Sequence, residues 1–193
     1  MIATPRFVLA LLAAAALAGC GSSAKSYFYT LDAPPFPAAS EAKSQLGVLL
    51  GPITLPELVD RPQWVLQTGS NQVEISDAHR WAQSPRAEIA RALSANLARD
   101  LGTPRVALIG QALGEEADVR IAVDILRFES VPDRQATLEA LWSVRRAGDA
   151  KAASGRATIQ EAVQGKGYEA LAAAHSRAIA RLSRDIAATV SNR

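Results

Sequence analysis

Several residue types that carry chemistry are scarce in this chain. Its 193 residues include one cysteine, Cys20, and only two histidines. A single cysteine cannot close an intramolecular disulfide, and it is too few for a zinc site built from cysteines. The sequence therefore excludes a disulfide-stapled scaffold and a cysteine-rich metal cluster.

The chain also lacks an excess of basic residues. Lysine and arginine total 21 against 19 acidic residues, which gives a formal net charge of +2. No basic stripe with interleaved aromatic residues is present, and the arginines alternate with acids as they do on a solvated surface. The sequence therefore predicts no nucleic-acid partner.

Motifs for catalysis are missing as well. The sequence has no Gly-x-Ser-x-Gly elbow, no glycine-rich phosphate loop and no His-Glu-x-x-His helix. His175 lies on the apolar stripe of the last predicted helix, which favours a hydrogen-bonded histidine of the core or an interface, and His79 lies in a predicted connecting segment. The acids Glu115, Glu116 and Asp118 precede a predicted strand and favour a solvated charge cluster over a cation site. We therefore expect a protein that is not an enzyme.

The amino-terminal segment has the layout of a secretory signal. A positive charge at Arg6 precedes an apolar run that ends in small residues. The run is too short to span a bilayer, which takes about 20 apolar residues. Leu17-Ala18-Gly19-Cys20 resembles the bacterial lipobox, in which the thiolate takes a diacylglyceryl group and the leader is cut before the cysteine. We expect residues 1–19 to be removed and Cys20 to be triacylated, the alternative being an ordinary cleaved signal followed by an incidental cysteine.

The residue after the cysteine bears on sorting. It is Gly21 and not the aspartate that retains lipoproteins in the inner membrane of many Gram-negative bacteria. The resemblance to the lipobox thus implies an outer-membrane lipoprotein. Lipidation of Cys20 would also leave no free thiol, which excludes a cysteine enzyme.

The mature chain has the length of one domain with its own core, since removal of 19 of the 193 residues leaves 174. We assign residues 20–45 to the lipidated cysteine, a tether rich in serine, alanine and proline, and a first strand at Tyr27–Leu31. Residues 46–193 form the remainder of the same domain.

Hydrophobic periodicity predicts the secondary structure of that domain. One helix is capped by Ser84, begins at Pro85 and stops at Gly102, and a second, regular helix begins near Tyr168 and closes the core. Strands are predicted at 47–55, 63–68, 72–76, 106–109, 119–125, 138–144 and 153–161, with hairpin turns at 69–71 and 132–135. This order predicts an α/β or α+β domain, a mixed β-sheet with hairpins covered by two long helices.

The stretch from Gly51 to Pro85, GPITLPELVDRPQWVLQTGSNQVEISDAHRWAQSP, resembles the PqiC-type lipoproteins, also described as auxiliary lipoproteins of ABC-type transport systems. Its most specific part is Pro56 followed by Asp60-Arg61-Pro62 and then Trp81. Members of that family often carry an aromatic residue near Leu58, where this chain departs from the pattern. The segments YFYTL, LEALWSVR and RAIARLSRDIAA fit the same family.

The resemblance implies a lipoprotein of the outer membrane that faces the periplasm and needs no cofactor. Its implied partner is an MCE-domain protein that carries lipid between the two membranes. Some members form rings, so a homo-oligomer is also implied. Two alternatives stay open at this point: a lipid-anchored envelope hydrolase, which requires His79 to meet a serine and an acid, and a purely structural envelope lipoprotein.

Five residues form the predicted interface. Arginine and tryptophan concentrate binding energy at protein interfaces, and aromatic residues in loops suggest a partner. We therefore expect an assembly surface that includes Asp60, Arg61, Pro62, Trp64 and Trp81. The alternative is structural, with a local ion pair and turn at Asp60-Arg61-Pro62 and with Trp81 as a lid on the core.

Overall fold

The computed structural model describes residues 25–38, 42–111 and 117–192. Within these ranges the chain forms eight strands and two helices. The strands are β1 (Tyr27–Tyr29), β2 (Val48–Thr54), β3 (Gln63–Gly69), β4 (Gln72–Trp81), β5 (Val106–Leu108), β6 (Val119–Val131), β7 (Gln135–Arg146) and β8 (Ala153–Ala162). The helices are α1 (Pro85–Leu101) and α2 (Gly167–Ser191).

The strands divide between two mixed sheets. One has the order β1-β4-β3 and the other the order β5-β2-β6-β7-β8. The predicted α/β class with two long helices is confirmed, but the strands form two sheets where the sequence suggested one. The reason lies at β2, which pairs in parallel with β5 on one side and with β6 on the other. Both of its edges are occupied, so the β3–β4 hairpin pairs with β1 instead.

Local signals set the bounds of α1 as predicted. The Ser84 side chain accepts a hydrogen bond from the amide of Ala87 at 3.3 Å, and Pro85 takes the first helical position. Gly102 ends the helix in the left-handed region with φ 65°, where a residue without a Cβ has no steric penalty. The predicted apolar face is buried, with Ile89, Leu93 and Leu97 fully covered.

The pairing of β2 is irregular at Gly51-Pro52. Gly51 has a φ of 125°, and the pairing of β2 with β6 shifts register between Leu50 and Ile53. Proline has no amide to donate to a ladder, so the shift accommodates it within a strand that is paired on both edges. The predicted β3–β4 and β6–β7 hairpins are confirmed by their antiparallel registers.

The core lies between the larger sheet and the helix pair. Helix α2 packs against β7, β8 and α1. The stripe predicted from its periodicity faces inward, and its members are buried: Leu171, His175, Ile179, Leu182, Ile186 and Val190. Arg177 and Arg181 lie beside that stripe and both pair with Glu161 at 3.2 Å, so these two arginines are paired within the chain.

Candidate functional site

The loop that joins β2 to β3, residues 55–62, carries three of the predicted interface residues. The amides of Val59 and Asp60 both donate to the carbonyl of Pro56, at 3.1 and 3.2 Å, and close a turn. Asp60 accepts a hydrogen bond from Arg86 of α1 at 2.5 Å. The hydrogen-bonded turn lies at residues 56–60, ahead of the predicted turn at Asp60-Arg61-Pro62. The predicted local ion pair is replaced by a pair between Asp60 and Arg86, which lies in the first turn of α1.

Arg61 and Pro62 complete this loop. The carbonyl of Pro62 accepts from the amide of Trp81 at 2.7 Å and ties the loop to β4. Arg61 is half-buried, and its Nε has no acceptor among the residues that the structure describes. That Nε is itself buried, so this unused donor faces the interior of the protein and not an external partner.

The two predicted interface tryptophans lie in the core. Trp64 is 1% exposed and Trp81 is 4% exposed, and their rings stack at 4.1 Å with an interplanar angle of 19°. The indole Nε1 of Trp64 donates to the hydroxyl of Ser130 at 3.0 Å. Side chains this deeply packed present no surface to a partner, so the expectation that Trp64 and Trp81 are interface anchors is corrected. Trp81 packs in the core, as the structural alternative had it, and Trp64 packs against it.

The buried histidine of α2 meets a serine. His175 Nε2 and the hydroxyl of Ser130 lie 2.8 Å apart, which is the contact that a hydrolase would need. Both residues are buried, however, and His175 Nδ1 has no partner in the described ranges. Burial also lowers the pKa of His175 from 6.5 to about 3. A sealed, neutral histidine without an orienting acid is the arrangement of a core hydrogen bond.

His79 lies on β4, so its predicted place in a connecting segment is wrong. β4 continues to Trp81. Its pairing with β3 is irregular between Gln63 and Val65, where four residues of β4, 76–79, lie opposite Trp64 alone. His79 Nδ1 is 2.7 Å from the Tyr29 hydroxyl. Its ring stacks on Tyr168 at 3.8 Å and on Tyr27 at 5.1 Å. The ring contacts are aromatic rather than the serine and acid that the hydrolase alternative required.

An apolar groove lies beside the loop 55–62. It is formed by that loop, the β3–β4 hairpin and β6, and its cavity volume is about 120 Å³. Three of its apolar side chains are well exposed: Leu58 at 46%, Val73 at 41% and Leu126 at 40%. Arg127 and Glu129 form an ion pair at 2.5 Å on its rim. Exposed apolar side chains gathered around one concavity are typical of an interaction site.

The chain matches the family model of the ABC-type transport auxiliary lipoprotein component over residues 29–187. It belongs to that family. The match covers both sheets from Tyr29 onward and nearly all of α2, so the domain described above is the auxiliary lipoprotein domain. No curated protein sequence matches the chain.

Solved structures share the fold of this auxiliary lipoprotein. A crystal structure of a protein described as uncharacterized has a TM-score of 0.68 at 21% identity, and the match covers 87% of this chain and 99% of that one. Protein XCC0632 from Xanthomonas campestris, of the DUF330 family model, has a TM-score of 0.69 at 18% identity, with 86% and 98% covered. A PelC dodecamer from Paraburkholderia phytofirmans is more distant, with a TM-score of 0.47, 12% identity, and 80% and 95% covered.

Membership of a transport auxiliary family accords with a lipoprotein of the cell envelope. Cys20 and the acids Glu115 and Glu116 lie outside the described residues. Asp118, the third acid of that cluster, accepts a hydrogen bond from the amide of Gly47 at 2.6 Å.

Across the described ranges, no group of three or more His, Cys, Asp or Glu side chains could hold a metal ion. No helix in this part of the auxiliary lipoprotein is long and apolar enough to cross a membrane.

The sequence did not predict the groove of the auxiliary lipoprotein, although one signal for it was readable. Apolar residues alternate from Val119 to Ile125, and the next buried positions, Phe128 and Ser130, are one step out of phase. A phase change of this kind marks a β-bulge, and the register of β6 against β7 does shift between Ile125 and Arg127. The extra residue is Leu126, which the bulge leaves exposed.

Proposed function

We propose that this chain is a non-catalytic lipoprotein that docks an MCE-domain lipid-transport protein at the outer membrane, facing the periplasm. Residues 1–19 are its signal peptide, Cys20 carries the acyl chains, residues 20–45 hold the tether and first strand, and residues 46–193 complete the domain. Family membership supports a role in transport, and the lipobox with Gly21 supports the outer membrane.

The observation that carries the docking proposal is the groove beside the loop 55–62. Its exposed Leu58, Val73 and Leu126 offer an apolar centre, and the Arg127–Glu129 pair forms a polar rim. Protein interfaces have this anatomy, with an apolar core inside a polar border. Arg61 lies in the same loop and is partly exposed, and a guanidinium suits a carboxylate of the partner.

Asp60 and Pro62 have a supporting role in this proposal. Asp60 ties the loop to Arg86, and Pro62 ties it to Trp81, so the loop is held in place before a partner binds. A preorganised loop loses less conformational freedom on binding than a mobile one. We propose that a homo-oligomer, a ring in some relatives, arrays several of these grooves.

Replacing Leu58 with aspartate tests the docking surface. We expect capture of the MCE-domain protein to fall at least about tenfold, because a charge in the apolar centre removes an anchor worth about 2 kcal/mol or more. The lipidated protein is purified from envelopes, and the amount of MCE-domain protein that accompanies it is measured by mass spectrometry. The melting temperature should stay unchanged, since Leu58 is 46% exposed.

Ile109→Asp is the matched control, because Ile109 is 56% exposed and follows β5, away from the groove. It should leave capture at the wild-type level. Equal capture by the two variants would reject the groove as the docking surface. Absence of any MCE-domain protein from the wild-type sample would reject the proposed partner itself, whatever the variants do.

A further inference from the structure

We propose that Tyr27 and Phe28 rest in the headgroup region of the membrane that holds the lipid anchor, so that the β1 end of the domain faces the bilayer. The inference rests on the proposed acylation of Cys20. It adds a second, non-covalent contact with phospholipid and thereby an orientation of the domain on the membrane.

The first argument is exposure. Phe28 is 63% exposed, the highest value among the large apolar side chains that the structure describes, and Tyr27 is 44% exposed. β1 pairs only with β4, so it is an edge strand, and its consecutive side chains point to opposite faces. Both rings are therefore accessible at one edge of the domain. Tyrosine favours the membrane interface, where its ring is partly apolar and its hydroxyl stays hydrated.

The second argument is chain length. Seven residues lead from Cys20 to Tyr27, and even a fully extended chain of that length spans no more than about 25 Å. A folded domain of this size has a radius of gyration of about 15 Å and is therefore wider than the tether is long. An anchored Cys20 would keep the β1 end close to the bilayer whichever way the rest of the domain turned.

The third argument is that β1 is held firmly on the domain. The carbonyl of Tyr29, the last residue of β1, accepts a hydrogen bond from the amide of Ala82 at 2.8 Å. Just beyond it, Leu31 donates its amide to the buried carboxylate of Glu88 at 3.0 Å, and its carbonyl accepts from Arg91. Glu88 and Arg91 also pair with each other at 2.8 Å. β1 and the residues just after it are therefore fixed to the rest of the domain, including α1.

The charges around this edge suit a phospholipid surface. Lys25 lies over the Tyr27 ring at 5.1 Å from its centroid. The stack of Tyr27, His79 and Tyr168 brings the start of α2, with the exposed Lys166, to the same edge. The first turn of α2 also carries one acidic residue, Glu169. Lysine side chains can extend their ammonium groups to lipid phosphates while their methylene chains cover apolar surface.

Tryptophan reporters test this contact directly. Phe28→Trp and Phe36→Trp each add one indole at an exposed site, since Phe36 is 46% exposed. Phe36 lies beside Gly102 at the far end of α1, a helix about 25 Å long. The full chain is expressed so that it is lipidated, and it is reconstituted into phosphatidylethanolamine and phosphatidylglycerol vesicles with or without lipids brominated near the headgroup. We expect bromine to quench Phe28→Trp and to change Phe36→Trp no more than it changes the wild type.

Flotation of the vesicles separates this inference from the proposed anchor. Wild-type protein should float with the vesicles. Cys20→Ser protein should take up no labelled fatty acid, and it should not float because it has no acyl chain to insert. If the protein floats but Phe28→Trp and Phe36→Trp are quenched equally, the membrane contact is overturned and the anchor is not. Shielding of the Phe28→Trp indole by a second copy of the chain has the same consequence. Wild-type protein that takes up no fatty acid and does not float overturns both the anchor and the contact.

Discussion

Replacing Trp64 with alanine is expected to lower the free energy of unfolding by about 3–5 kcal/mol, the usual cost of removing a buried tryptophan. The side chain is 1% exposed and stacks on Trp81 at 4.1 Å. Its loss would leave a cavity and take the indole donor away from Ser130, which also contacts His175. Buried polar groups that lose a partner add to the cost of the cavity.

Denaturant unfolding of the Trp64→Ala protein measures this effect, and the melting temperature should fall on the order of 10 °C. Phe28→Ala is the matched control, because it also removes an aromatic ring but from a side chain that is 63% exposed. Its stability should stay within about 0.5 kcal/mol of the wild type. If the Trp64→Ala protein is as stable as the wild type but assembles more weakly, Trp64 is an interface anchor after all.

His175→Gln is expected to make the protein less sensitive to acid. Burial lowers the pKa of His175 to about 3 in the folded state, whereas the unfolded chain titrates near its ordinary value of about 6.5. Above pH 6.5 histidine is neutral in both states and contributes no pH dependence. As the pH falls from 6.5 towards 3, only the unfolded chain gains the proton, so the wild type loses stability.

The size of this loss follows from linkage. It grows by about 1.4 kcal/mol for each pH unit below 6.5 and reaches about 2 kcal/mol at pH 5. A glutamine amide can occupy the place of Nε2 and keep a hydrogen bond to Ser130, but it does not titrate. Unfolding free energies of both proteins at pH 7 and pH 5 give the comparison. Equal losses between the two pH values would mean that His175 is not the group responsible.

The neutral state of His175 also bears on the hydrolase alternative. In a hydrolase, the general base takes the proton of a serine that is exposed to the substrate. His175 and Ser130 are 2.8 Å apart, but they lie inside the core beside Trp64 and Phe128. The same contact therefore satisfies a buried hydroxyl and a buried ring nitrogen. His175 and Ser130 therefore have a structural role in the core of this transport auxiliary lipoprotein.

The sequence by itself determined the elements whose signals are local. Ser84, Pro85 and Gly102 set the bounds of α1, because capping and backbone conformation depend on neighbours within one turn. The period of α2 placed His175 on its apolar stripe, and alternation along β6 and β7 predicted their hairpin. Each of these signals acts over a few residues, so it can be read without knowledge of the rest of the chain.

Only the tertiary structure decided how those elements share their partners. The division into two sheets depended on both edges of β2 being taken, and the pairing of Asp60 with Arg86 depended on where α1 begins. Trp64 and Trp81 resembled interface residues because a strand pattern does not reveal what covers each face. Their burial, and the exposure of Leu126 beside a groove, follow from packing between segments far apart in the chain, which local periodicity cannot encode.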